Sequence, residues 1–186
     1  MPDRSASEHL YLAPGASGNL AGVAPYRDGL VGRGIDVSLV SLPRGRAEAA
    51  VPAYRRAAPQ APGTFIGGQS FGGRVGSLLA ADEPYAGLVL LSYPLHRPGD
   101  PGRWQERTVH WPRIPCPVLL LSGDRDPLAS IGLLRAAVEL LPSAKLVVYP
   151  GIGHGVLPVL DDALDQIAAF ISEVGRRSVG DATTPW

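Results

Sequence analysis

Ser70, Asp126 and His154 have the types and positions needed to activate a hydroxyl group. Ser70 stands in Gly68-Gln69-Ser70-Phe71-Gly72, a G-x-S-x-G pattern. The short apolar run beginning at Thr64 ends there, and a helical pattern with Val75, Leu78 and Leu79 begins at once. A serine at such a strand-to-helix turn is held in a strained conformation. Neighbouring backbone comes so close that the residues two before and two after must be nearly free of side chain, as Gly68 and Gly72 are. A serine hydroxyl is a poor nucleophile at neutral pH. It needs a base within hydrogen-bond reach, and an imidazole base needs an acid to fix its tautomer and stabilise the imidazolium. His154 in Gly151-Ile152-Gly153-His154-Gly155 and Asp126 in Gly123-Asp124-Arg125-Asp126-Pro127 supply those types, with Asp124 as the fallback acid. The chemistry would be nucleophilic acyl transfer. The plainer reading is a glycine-rich turn with a capping serine and a phosphate on the helix amides. No G-x-x-x-x-G-K-[ST] occurs and the only lysine is Lys145, so a P-loop is excluded.

The elements that must position these residues can be read in order. His9-Leu10-Tyr11-Leu12-Ala13 is a short strand that runs into the glycine-rich loop Pro14-Gly15-Ala16-Ser17-Gly18-Asn19. The backbone amides of Ala16, with Ser17 beside it, and of Phe71 are candidate donors to a tetrahedral oxyanion. A helical segment over 26–31 is closed by Gly32-Arg33-Gly34, and 35–40 alternates as a strand. Residues 46–58 are helical, with Ala47, Ala50, Val51 and Tyr54 on one face and arginines on a solvated one. The runs 87–93 and 118–121 are continuously apolar, as in strands buried on both sides of a parallel sheet. Between them, 94–115 holds five prolines and reads as a long loop over one end of the sheet. Tyr93, His96, Trp104 and Trp111 give that loop aromatic surface to line a substrate pocket, unless the tryptophans anchor it to the core. Ser130 is placed to cap a helix reaching Leu141, 146–149 is the last strand, and Asp161-Asp162 open a final helix that ends at Arg176-Arg177. The stretch 1–177 reads as one domain without internal repeat, and 178–186 as a disordered tail.

Composition narrows the class. In 186 residues, 17 basic and 17 acidic side chains and a pI near 6.9 give no global field for nucleic acid or anionic lipid. A small or neutral substrate is expected. The N-terminus lacks a signal-peptide core and no apolar run approaches the length of a membrane span, so the expected location is cytoplasmic, without membrane association. Arginine outnumbers lysine sixteen to one, which reads as the coding bias of a GC-rich, bacterial genome. Cys116, the single cysteine, sits between two prolines before an apolar strand and reads as a buried structural thiol. His9 reads as structural, His96 as near the site mouth, and His110 as a surface residue. No histidine pair has ligand spacing, so neither a metal nor a cofactor is expected.

Six strands alternating with helices argue for a mostly parallel α/β sheet, whose ligands sit at the carboxyl ends of the strands. Ala16, Ser70, Asp126 and His154 each follow a strand. On Gly67-Gly68-Gln69-Ser70-Phe71-Gly72-Gly73-Arg74, on Pro117 through the Asp126-Pro127 loop, and on Gly153-His154, nearly the whole chain resembles the α/β-hydrolase superfamily. The likeness is to its small dienelactone-hydrolase-like branch and that branch's testis-expressed-type relatives. The resemblance implies a three-layer α/β/α sandwich with a six-stranded sheet, lacking the first two of the usual eight strands and any cap domain, and hence an open, shallow pocket. Ser, Asp, His is the chain order of that superfamily, and the aspartate of its G-x-x-D-P loop maps to Asp126. Its usual His-Gly before the oxyanion loop is Pro14-Gly15 here. Dienelactone hydrolases proper carry cysteine at the elbow; Ser70 favours ester or thioester chemistry. The implied activity is a serine hydrolase acting through an acyl-enzyme on small-molecule acyl esters or thioesters. Acyl transfer by the same triad is the variant. Some relatives are subunits of chromatin-modifying assemblies, so the rival is a non-catalytic protein-interaction module. An apolar patch beside the absent strands would then be a partner surface or homodimer edge.

Overall fold

Strands whose successive side chains point to opposite faces, and which are apolar at every position, need cover on both sides. The computed structural model, which describes residues 8–180, supplies it. Strands β1 (His9–Ala13), β2 (Asp36–Leu39), β3 (Thr64–Gln69), β4 (Gly87–Leu91), β5 (Val118–Gly123) and β6 (Ala144–Tyr149) form a parallel sheet in the order β2-β1-β3-β4-β5-β6. Leu88, Leu90, Val118 and Leu120 face the helices α2 (Ala47–Ala57), α3 (Phe71–Asp82) and α4 (Ile131–Val138). Their alternates Val89, Leu91, Leu119 and Leu121 face α1 (Ala24–Val31) and α5 (Leu160–Gly180). The result is the expected three-layer sandwich, with no inserted cap over the strand ends. Helix α5 runs to Gly180, so the first residues of the expected tail are helical; 181–186 lie outside the described residues. Ser130 occupies the N-cap of α4 without a side-chain capping bond, and the helix stops at Val138, short of Leu141.

The pocket reading of Tyr93 and Trp111 and the surface reading of His110 both change, in the segment 94–115 and the residue before it. This segment contains two 3-10 stretches, Pro101–Arg107 and Trp111–Arg113, and folds back onto α3. Trp111 is fully buried and meets the equally buried Tyr93 edge to face at 4.9 Å. The Tyr93 hydroxyl donates to the Arg107 carbonyl at 2.6 Å. These rings are anchors, because a long proline-rich segment can be held only by burying its large apolar groups. His110, expected at the surface, is 4% exposed. Ser77 on α3 gives its hydroxyl proton to the Arg74 carbonyl, and His110 Nε2 lies 2.8 Å from the Ser77 oxygen. The imidazole therefore donates there. Burial, then the Arg74 and Arg113 charges, push the His110 pKa down to about 4. Cys116 is buried as expected, and burial pushes its thiol up to about 11.

Among the described residues no helix is long and apolar enough to cross a membrane. His9 Nε2 lies 2.9 Å from Ser38 Oγ and its ring stacks on Tyr11, tying β1 to the edge strand β2.

Truncation of the loop anchor, Trp111→Ala, is expected to cost about 3–5 kcal/mol in urea unfolding. His110 is neutral in the fold but protonates near 6.5 when unfolded, so its contribution is present above pH 6.5 and lost as pH falls toward 4. The stability gap between wild type and His110→Gln should narrow by about 2–3 kcal/mol between pH 7 and pH 4.

Candidate active site

The serine turn is built by backbone contact. Ser70 follows β3 at φ 50°, ψ −111°, a region disfavoured for any residue with a Cβ. Its amide donates to the Leu91 carbonyl of β4 at 2.8 Å, and its carbonyl accepts from the Arg74 amide in the first turn of α3. A Cβ on Gly72 would stand 2.5 and 2.6 Å from the carbonyl oxygens of Ala13 and Pro14, and one on Gly68 would collide with the backbone of Gly72 and Gly73. Only glycine at both positions lets α3 start this close to the ends of β1 and β3.

Two neighbouring loops bring the other groups to the serine. Asp126 follows β5 and is 4% exposed. Its Oδ1 accepts the Leu128 amide at 2.8 Å, and its Oδ2 accepts from His154 Nδ1 at 2.8 Å. With Nδ1–H given to the carboxylate, Nε2 of His154 is left as an acceptor, and it lies 2.8 Å from Ser70 Oγ. Asp124 serves a different purpose. Its Oδ1 accepts the Gly151 amide at 2.7 Å, fixing the base of the loop that carries His154. Ser92 fixes the other side of that loop, through a Gly155 amide that donates to its hydroxyl at 3.0 Å. Ser92 is fully buried and, like Ser70, holds φ 50° without being glycine. Nothing in the sequence marked it except its place at the carboxyl end of a buried strand.

Ser70 opens on a cleft of about 770 Å³ lined also by Ala16, Phe71, Pro94, His96 and Leu128. The amides of Ala16 and Phe71 make no hydrogen bond among the described residues, which leaves both as available donors beside Ser70. Ser17 turns away, with its hydroxyl accepting the Asn19 amide. Of the four expected pocket residues only His96 lines the cleft; Tyr93 and Trp111 belong to the core, and Trp104 packs against it. The residues missed are charged: Arg46, Glu48, Arg74, Arg97, Glu106 and Arg107. Arg46, at the N-cap of α2, is exposed as its solvated reading had it and also borders the cleft. One signal was available, since Arg74 follows Ser70 by four residues and so lies one helical turn from it.

A family model described as an alpha/beta hydrolase domain matches residues 44–174. The chain belongs to this alpha/beta hydrolase family. A 66-residue stretch is 36% identical to LipZ, a Mycobacterium tuberculosis protein named as a hydrolase; it covers 36% of this chain and 22% of LipZ. Est1E from Butyrivibrio proteoclasticus is similar over 93% of this chain and 90% of its own, with TM-score 0.73 and 17% identity. The monoacylglycerol lipase of Paleococcus ferrophilus is similar over 89% of this chain and 94% of its own, with TM-score 0.75 and 16% identity. At these identities the two structures show that the hydrolase fold is shared.

Relief of the strained turn is measurable without any substrate. Ser70→Gly is expected to stabilise this hydrolase-family chain by about 1 kcal/mol, read as a raised thermal midpoint, because glycine takes φ 50° without steric penalty.

Proposed function

We propose that this chain is a serine hydrolase of carboxylic esters or thioesters with small acyl groups. Ser70 is the nucleophile, His154 the general base and then acid, and Asp126 the residue that orients the imidazole. The observation that carries the reading is the unbroken chain from Asp126 Oδ2 through His154 to Ser70 Oγ, 2.8 Å at both joints. Ser70 Oγ attacks the acyl carbonyl while its proton passes to His154 Nε2, and the Asp126 carboxylate stabilises the imidazolium. The oxyanion is met by the amides of Ala16 and Phe71. Collapse expels the alcohol or thiol, which takes the proton from His154. A water then attacks the acyl-serine with His154 again as base, releasing the acid and restoring the hydroxyl.

Family membership and the names of similar proteins, a monoacylglycerol lipase among them, agree with ester chemistry. The rival reading, a protein-interaction module, finds little support: the exposed large hydrophobic residues Val31, Val109 and Leu157 lie on separate elements and not along β2.

A fluorophosphonate probe should label the purified protein, and labelling should vanish in Ser70→Ala and in His154→Ala. No labelling of well-folded wild type would defeat the reading. Asp126→Asn, which leaves the histidine in the wrong tautomer, should lower kcat by about 10⁴.

A further inference from the structure

The charges around Ser70 do not balance as they do in the chain as a whole. Arg46, Arg74, Arg97 and Arg107 face the cleft against Glu48 and Glu106. Both carboxylates are already engaged. Glu48 takes the Arg74 guanidinium, Nη2 to Oε1 at 2.7 Å, with Arg46 at 3.8 Å, and Glu106 takes Arg103, Nε to Oε1 at 2.6 Å. Arg107 is placed differently. Its Nη1 donates to the carbonyls of Pro94 and His96, both at 3.0 Å, so the guanidinium is fixed by neutral groups and keeps its charge uncompensated. Arg97 beside it makes no ion pair among the described residues. Nε of Arg74 is buried and unpartnered among those same residues. Burial, followed by repulsion from Arg74, pulls the Arg107 pKa below its usual range, the sign of a cation short of negative charge.

A guanidinium held rigidly by carbonyls has lost its side-chain freedom before any ligand arrives, and its remaining N–H groups form a fork that fits a carboxylate or phosphate. Resting on the hydrolase reading above, we infer that the preferred substrate is an ester or thioester bearing an anionic group, a carboxylate or phosphate, which Arg107 and Arg97 bind while Ser70 attacks the acyl carbon. The electrostatic selection is local: the chain is neutral overall, while arginines outnumber glutamates along the cleft beside Ser70.

Two matched pairs of substrates test this and separate the sources of the anion. Mono-4-nitrophenyl succinate against its methyl ester places a carboxylate on the acyl side. Butyryl-coenzyme A against the N-acetylcysteamine thioester of butyrate places phosphates on the leaving-group side. In at least one pair kcat/KM should favour the anionic member about tenfold or more. That preference should fall with added salt and largely disappear in Arg97→Gln combined with Arg107→Lys, while turnover of the neutral member stays within about twofold. Arg107→Lys keeps a donor for the two carbonyls but not the planar fork, which guards against simple loss of the loop. Equal turnover within both pairs, or turnover of none by protein that labels with fluorophosphonate, overturns the anion preference and leaves the activated serine standing. Absence of labelling overturns the hydrolase reading and this inference with it.

Discussion

The first turn of α3 passes so near the ends of β1 and β3 that neither Gly68 nor Gly72 leaves room for a Cβ. At Gly72 a single methyl group would meet two carbonyl oxygens at 2.5 and 2.6 Å, inside any real carbon–oxygen contact, and Gly68 is equally confined. This contact sets the position of Ser70 relative to the sheet, and the sheet sets everything else. Because β4 and β5 follow β3 in parallel register, their outgoing loops emerge beside the serine, and β6 delivers the histidine loop one strand further on. The two loops are joined directly, by the Gly151 amide on Asp124 Oδ1 and the Arg125 amide on the Ile152 carbonyl, but only because the sheet first sets them side by side. They meet because parallel strands end on the same side.

Around that fixed point the loops are held by a few polar contacts, some exposed and some buried. Asp124 and Ser92 take amides of the histidine loop from two directions, and Ser77 and His110 join the proline-rich segment to α3. Tyr54 on α2 reaches through the layer so that its hydroxyl accepts the Gly67 amide at 2.9 Å and lies 2.8 Å from the Tyr11 carbonyl, linking β3 to β1 just behind the turn. An unmade bond at the buried Ser77–His110 and Tyr54–Gly67 contacts would leave a desolvated donor or acceptor, so these resist displacement most.

The sheet, its parallel sense and the residues at its carboxyl ends were legible because each signal was local: apolar runs of strand length, glycines flanking a serine, and polar residues directly after strands. The pocket lining was not legible. Tyr93, just after a buried strand, carries no sign of which way its ring turns, and Trp111 sits in a proline-rich stretch without periodicity, so no pattern says which side of the loop faces the core. His110 was misplaced for the same reason, since its burial depends on Ser77, far away in sequence and close only once the segment folds back over α3. The arginines at the cleft were not picked out: Arg46 is solvated as read and still borders the cleft, while Arg97 and Arg107 sit in the loop without periodicity. Whether an arginine head reaches a cleft depends on the loop that forms the opposite wall.

Cys116 also has a bearing on how the protein meets electrophiles. Burial pushes the Cys116 thiol up to about 11, so inside the folded chain it stays the neutral thiol at pH 7. A covalent inhibitor aimed at acyl chemistry therefore meets no reactive cysteine while the fold stays closed around Cys116.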